Sequence, residues 1–125
     1  MARPDAVRRV KSYSAANGFV YQYFFFEVNR IAGDGGPVGE FIYAVSSDRK
    51  NTFALRILVR QSALEVWAQA NGRALSSSEE YAVAKMRLFQ AFDDAAVPPD
   101  MKEGAALTFL VDESNLEGLL QSLNI

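Results

Sequence analysis

Two pairs of adjacent carboxylates are the residues best placed in this chain for acid–base or metal chemistry. Glu79-Glu80 and Asp93-Asp94 lie near the two ends of one segment with helical spacing. A carboxylate enzyme would need Glu80, Asp93 and Asp94 to converge in one cleft. Simpler roles explain them, because a helix N-terminus favours negative charge and adjacent helical side chains point about 100° apart. We therefore predict no catalytic and no metal-ligating residue.

The composition removes most other catalytic classes. The chain contains no histidine and no cysteine. It therefore lacks the commonest general base near neutral pH, the commonest metal ligand and any disulfide framework. We expect a protein that is not an enzyme and that needs no cofactor.

Charge and hydropathy bear on partners and compartment. The net charge of −2 argues against a nucleic-acid partner, because such binding relies on cations that neutralise phosphates. No apolar stretch resembles a secretory signal, and the longest aromatic run, about ten residues, is too short to span a membrane. The expectation is a cytoplasmic protein without a membrane partner.

A glycine-rich segment, Gly33-Asp34-Gly35-Gly36-Pro37, is the remaining motif that could bind a ligand. Phosphate-binding loops place their backbone amides at the start of a helix. Here a strand pattern follows, so the segment is predicted to be a hairpin loop.

The strongest structural signal is the aromatic strand that begins at Phe19. Its alternate residues form two apolar rows, and three modest helices cannot cover both faces of a five-stranded sheet. Tyrosines suit an uncovered surface, because the hydroxyl still meets water. The expected interaction or ligand face is therefore the first row with two arginines of a later strand: Phe19, Tyr21, Tyr23, Phe25, Arg56 and Arg60. The alternative is that the chain's own ends cover this row.

The elements around this strand follow from periodicity. Alternation predicts four strands between residues 10 and 60, and Asn17-Gly18 predicts a hairpin between the first two. Helices are expected from Ser62 to Asn71 and over 77–95, the second opened by a capping box at Ser76 or Ser77. A fifth strand over 105–111 and a helix capped by Ser114 complete the order β-β-β-β-α-α-β-α. This order predicts one α+β domain, residues 1–125, with an antiparallel sheet of about five strands and helices mainly on one face.

Three functions remain open at this point. The leading hypothesis is a non-enzymatic module that forms a homodimer through the aromatic sheet face. The alternative is a small-molecule-binding domain with a pocket lined by tyrosines and arginine. The third is the carboxylate enzyme considered above.

Overall fold

A computed structural model describes residues 9–33 and 35–125, and Asp34 of the glycine-rich loop lies outside them. The chain forms five strands and three helices in the predicted order. Their bounds are β1 Lys11–Ser14, β2 Val20–Gly33, β3 Gly36–Ser46, β4 Phe53–Arg60, α1 Gln61–Asn71, α2 Ser77–Asp93, β5 Ala106–Val111 and α3 Leu116–Ser122. The α+β class and the order β-β-β-β-α-α-β-α are confirmed.

The five strands form one sheet whose spatial order is the order of the chain. The first four strands pair antiparallel with their neighbours. β5 joins the edge beside β4 and runs parallel to it, with Ala54 opposite Ala106. The expectation of a purely antiparallel sheet is therefore wrong. Two helices separate β4 from β5, and such a crossover carries the chain back to the starting end of β4.

One face of the sheet, here called the inner face, carries the core. Strict alternation buries every second side chain of β4, as expected for a strand with one charged face. The helices pack their apolar side chains onto the same core. Its largest fully buried members are Tyr21, Tyr43, Phe53, Phe92, Leu55, Ile57, Leu88 and Leu120.

The helix ends agree with the sequence in part. The predicted capping box is confirmed, with Ser76 Oγ accepting from the Glu79 amide and the Glu79 carboxylate accepting from the Ser76 amide. α1 ends as predicted at Gly72, whose φ of 73° closes the helix in the left-handed conformation. Ser62 is not the N-cap of α1, since Arg60 occupies that position without a side-chain cap. α3 also begins later than predicted, after Asn115 instead of Ser114.

A β-bulge in β2 changes which side chains face the core. The pairing of β2 with β3 shifts between Phe25 and Glu27, so Phe26 is the extra residue. Before the bulge, the odd-numbered residues of β2 face the helices. After it, Arg30 lies opposite Gly39 on the inner face.

Candidate functional site

The tyrosines predicted to line an open face are instead in the core. Tyr21 is completely buried and Tyr23 is 5% exposed. Tyr21 stacks on Phe92 of α2 at a centroid distance of 4.3 Å, and Tyr23 meets Phe89 edge-on at 5.6 Å. The prediction of an outer tyrosine row is therefore wrong. The three aromatic side chains of α2, Tyr81, Phe89 and Phe92, give these rings better packing than an open surface would.

The tyrosine hydroxyls show how the core accommodates this row. The Tyr21 hydroxyl donates a 2.7 Å hydrogen bond to the carbonyl of Val97, which satisfies it inside the core. Burial, with a smaller contribution from Tyr81, raises the pKa of Tyr23. Both effects favour the neutral phenol, as expected for a packing role.

The two phenylalanines of the predicted face lie in different surroundings. Phe25 is half-buried on the inner face, where its ring meets Tyr81 edge-on at 5.1 Å. Phe19 precedes β2 and is 46% exposed, with its amide donating to Asn17 Oδ1 at 3.0 Å. Of the four aromatic residues, Phe19 alone belongs to the exposed surface.

The two arginines lie on the opposite face from the tyrosines. Arg56 faces outward and donates to Glu40 Oε2 at 2.7 Å and to the Thr108 hydroxyl at 3.2 Å. Arg60 lies opposite Val38 and lines a shallow crevice with Asp112 at the carboxyl ends of the parallel strands. The expectation that these arginines lie near the tyrosines is wrong, because the two sets occupy alternate positions and therefore opposite faces.

The carboxylates do not converge. Glu80 is in the first turn of α2 and is 6% exposed. Its carboxylate accepts hydrogen bonds from the Arg30 guanidinium at 2.7 and 3.0 Å and from the Gln61 side-chain amide at 3.0 Å. Asp93 is in the last turn, which places it about 20 Å away along the helix axis. It accepts from the Tyr13 hydroxyl at 2.7 Å and from the Ala16 amide at 2.9 Å. Each carboxylate thus links α2 to a different part of the sheet.

The sheet face away from the helices, here called the outer face, is only partly covered. None of the four outward side chains of β4 is fully buried, although all four inward ones are. Small residues align across this face, since Ala44 lies opposite Ala54 and Ala54 opposite Ala106. The next rows are polar, with Asn29 and Arg56 both donating to Glu40. The middle of this face is therefore mixed in polarity.

A more distinctive feature is one edge of β2. β1 pairs only with residues Val20–Tyr23, so the second half of β2 extends past it. Glu27–Gly33, here called the distal edge, pairs with β3 on one side and with no strand of residues 9–33 or 35–125 on the other. Backbone amides and carbonyls on an open edge are a template for another strand.

Exposed apolar side chains accumulate near the distal edge. Val28 is 42% exposed and Ile31 is 37% exposed. Phe26, which precedes this edge directly, is 45% exposed. The opposite edge of the sheet differs, because Arg87 and Asn115 donate to the Leu110 carbonyl of β5. Among the described residues, side chains therefore bind the backbone of the β5 edge at Leu110, whereas no strand pairs with the distal edge.

The sequence did not identify this edge. Alternation predicts that β2 is a strand, but it does not show along which of its residues a neighbouring strand pairs.

Comparison of the chain with protein-family models, with curated proteins and with solved structures finds no match. In the described part of the chain, no helix has the length and apolar character needed to cross a bilayer.

Proposed function

We propose that this protein is a non-enzymatic module that self-associates as a homodimer through the distal edge of β2. The observation that carries the proposal is the edge Glu27–Gly33. It has no strand partner on one side among residues 9–33 and 35–125, and it carries the exposed side chains of Val28 and Ile31. A strand edge accepts only an extended partner, and a second copy of the chain offers one.

The side chains of the distal edge suit antiparallel pairing around a two-fold axis. Residues opposite one another in such a pair lie on the same face of the sheet. An axis at Val28 places Val28 against its own copy and Glu27 against the partner subunit's Asn29. No like charges are opposed in this register, whereas an axis at Arg30 would oppose two guanidinium groups. The pairing would join two five-stranded sheets into one of ten strands.

Solution mass and a matched pair of variants test the proposal. The wild-type chain is expected to sediment at twice its mass of 13.8 kDa at micromolar concentration. Val28→Lys places a charge at the centre of the edge and should weaken the dimer by at least about tenfold. Val66→Lys is the control, because Val66 is 52% exposed on α1, away from the sheet edge.

Two outcomes would contradict the proposal. One is a monomer of 13.8 kDa at the highest soluble concentration. The other is a dimer that Val28→Lys and Ile31→Lys leave as stable as Val66→Lys does. Circular dichroism of each variant separates loss of pairing from loss of the fold.

A further inference from the structure

A cavity of about 390 Å³ opens on the outer face of the sheet, at the end away from the distal edge. It lies where β1, β2 and β3 meet the turn between β3 and β4. Its walls combine apolar and polar groups, which include Val10, Ser12, Gln22, Ala44, Ser46 and Arg49. Apolar walls with a few fixed polar groups are typical of small-molecule sites.

Gln22 lines this cavity and carries an unsatisfied side-chain acceptor. Its neighbours across the sheet are Ser12 on β1 and Ser46 on β3. The Gln22 Oε1 atom is buried and has no hydrogen-bond partner among the described residues. Buried polar atoms without a partner are rare in folded proteins, and a ligand that donates a hydrogen bond would satisfy this one. Ser46 is not available for that role, because its hydroxyl already donates to Asp48 Oδ1 at 3.3 Å.

Arg49 supplies a positive charge at the mouth of the cavity. The carboxylate of Asp48 fixes the turn, because it accepts from the amides of Lys50 and Asn51 at 2.8 Å each. Arg49 itself has a φ of 63°, in the left-handed region, and the backbone turns sharply at this residue. Its guanidinium has no ion pair and no side-chain hydrogen bond within residues 9–33 and 35–125. It can therefore bind an anionic group at the cavity.

We infer that this cavity binds a small, flat organic acid that carries an N–H donor. The N–H group would donate to Gln22 Oε1, the acid group would bind Arg49, and the flat body would lie on Ala44 and the neighbouring apolar wall. The site is separate from the proposed dimer edge, since none of the cavity residues belongs to Glu27–Gly33.

Indole-3-carboxylate is a suitable probe, because it combines a flat ring, an N–H donor and a carboxylate. Titration of the full chain should be followed by proton–nitrogen correlation spectra. We expect saturable shifts at the side-chain amide of Gln22 and at the backbone amides of Ser46 and Arg49. Indole lacks the acid and 1-methylindole-3-carboxylate lacks the donor, so each should bind about tenfold more weakly or worse.

Protein variants locate the two contacts. Gln22→Met keeps the size of the side chain but removes the acceptor, and it should abolish the preference for the N–H acid over its methylated analogue. Arg49→Ala should weaken the carboxylate by about tenfold. Lys50→Ala removes a neighbouring cation that does not line the cavity, and it should leave binding unchanged.

The inference would be overturned if indole-3-carboxylate caused no saturable shift up to its solubility limit. It would also be overturned if the methylated acid bound equally well, or if Gln22→Met kept the preference. Sedimentation of the same variants keeps this test apart from the dimer test, since neither Gln22 nor Arg49 lies on the distal edge.

Discussion

Two tyrosines on neighbouring strands are equally buried but differ in how their hydroxyls are satisfied. Tyr21 and Tyr43 are both 0% exposed. The Tyr21 hydroxyl donates to the Val97 carbonyl, whereas the Tyr43 hydroxyl has no hydrogen-bond partner among the described residues. Burial raises the pKa of Tyr43 far above its usual range, so the phenol stays neutral in the folded protein. Comparing Tyr21 with Tyr43 therefore separates the contribution of a buried aromatic ring to stability from that of a hydrogen-bonded hydroxyl.

Substitution by phenylalanine should affect these two positions in opposite directions. Tyr21→Phe is expected to lower the free energy of unfolding by about 1 kcal/mol, because the hydrogen bond to Val97 is lost. Tyr43→Phe should leave stability unchanged or raise it by up to about 1 kcal/mol, because it removes an unsatisfied buried group. Urea unfolding of both variants measures the difference. Equal losses would contradict the assignment and show that Tyr43 has a bonded partner.

At the residue scale, the sequence indicated some roles and hid others. A helix C-terminus disfavours a carboxylate, and the structure shows why Asp93 lies there: it accepts hydrogen bonds from the Tyr13 hydroxyl and the Ala16 amide. Glu80 was predicted to serve the helix end, but Glu79 forms the capping box and Glu80 binds Arg30 inside the protein. The partners of these two carboxylates could not be identified from the sequence, because they are 50 to 80 positions away along the chain.

At the scale of elements, β4 and β2 show when a pattern identifies the buried face. β4 carries Arg56 and Arg60 on one side, so its apolar side had to face the core. β2 is apolar on both sides, and alternation alone cannot rank two apolar rows. The bulge at Phe26 makes the buried face harder still to assign, because the inward-facing residues are odd-numbered before it and even-numbered after it. Both strands were therefore predictable, but the buried face could be assigned for β4 and not for β2.

Two glycine-to-alanine substitutions test the packing of individual elements. In α3, an added Cβ at Gly118 meets no atom within 4 Å, so Gly118→Ala should stabilise the protein by up to about 1 kcal/mol through helix propensity. In β3, a Cβ at Gly39 would lie 2.5 Å from Arg30 Nη1 and 2.8 Å from Glu80 Oε2. Gly39→Ala should therefore destabilise it by about 1–3 kcal/mol.

Thermal or urea unfolding of the two glycine variants gives the comparison directly. A neutral Gly39→Ala would show that the ion pair between Arg30 and Glu80 can move aside. A destabilising Gly118→Ala would show that the surface of α3 is covered in solution.

At the scale of the whole molecule, stability should depend on pH only at the extremes. Burial, followed by the hydrogen bond to Asp93, raises the pKa of Tyr13 to about 12. Stability from this phenol is complete below about pH 10 and is lost as the pH rises towards 12. The hydrogen bond from Arg73, followed by the Ser76 amide, lowers the pKa of Glu79 to about 2. Its contribution is complete above about pH 4.5 and is lost as the pH falls towards 2.

Between these limits the free energy of unfolding should be nearly constant. The chain has no histidine and no cysteine, the side chains that normally titrate between about pH 6 and 9. Urea unfolding at several pH values measures the profile. A marked slope near neutral pH would contradict the expectation and would require a lysine or carboxylate shifted into that range.

The parallel pairing of β4 with β5 also has a consequence for how the chain folds. β1 to β4 are successive hairpins, which close over short stretches and form early. β5 must instead return to β4 from far along the chain, since Ala54 pairs with Ala106, 52 positions later. We expect the docking of β5 onto β4, which accompanies the packing of α2, to be the slow step of folding. Until then, one side of β4 is left without its neighbour, and the nascent meander is most vulnerable to aggregation during that interval.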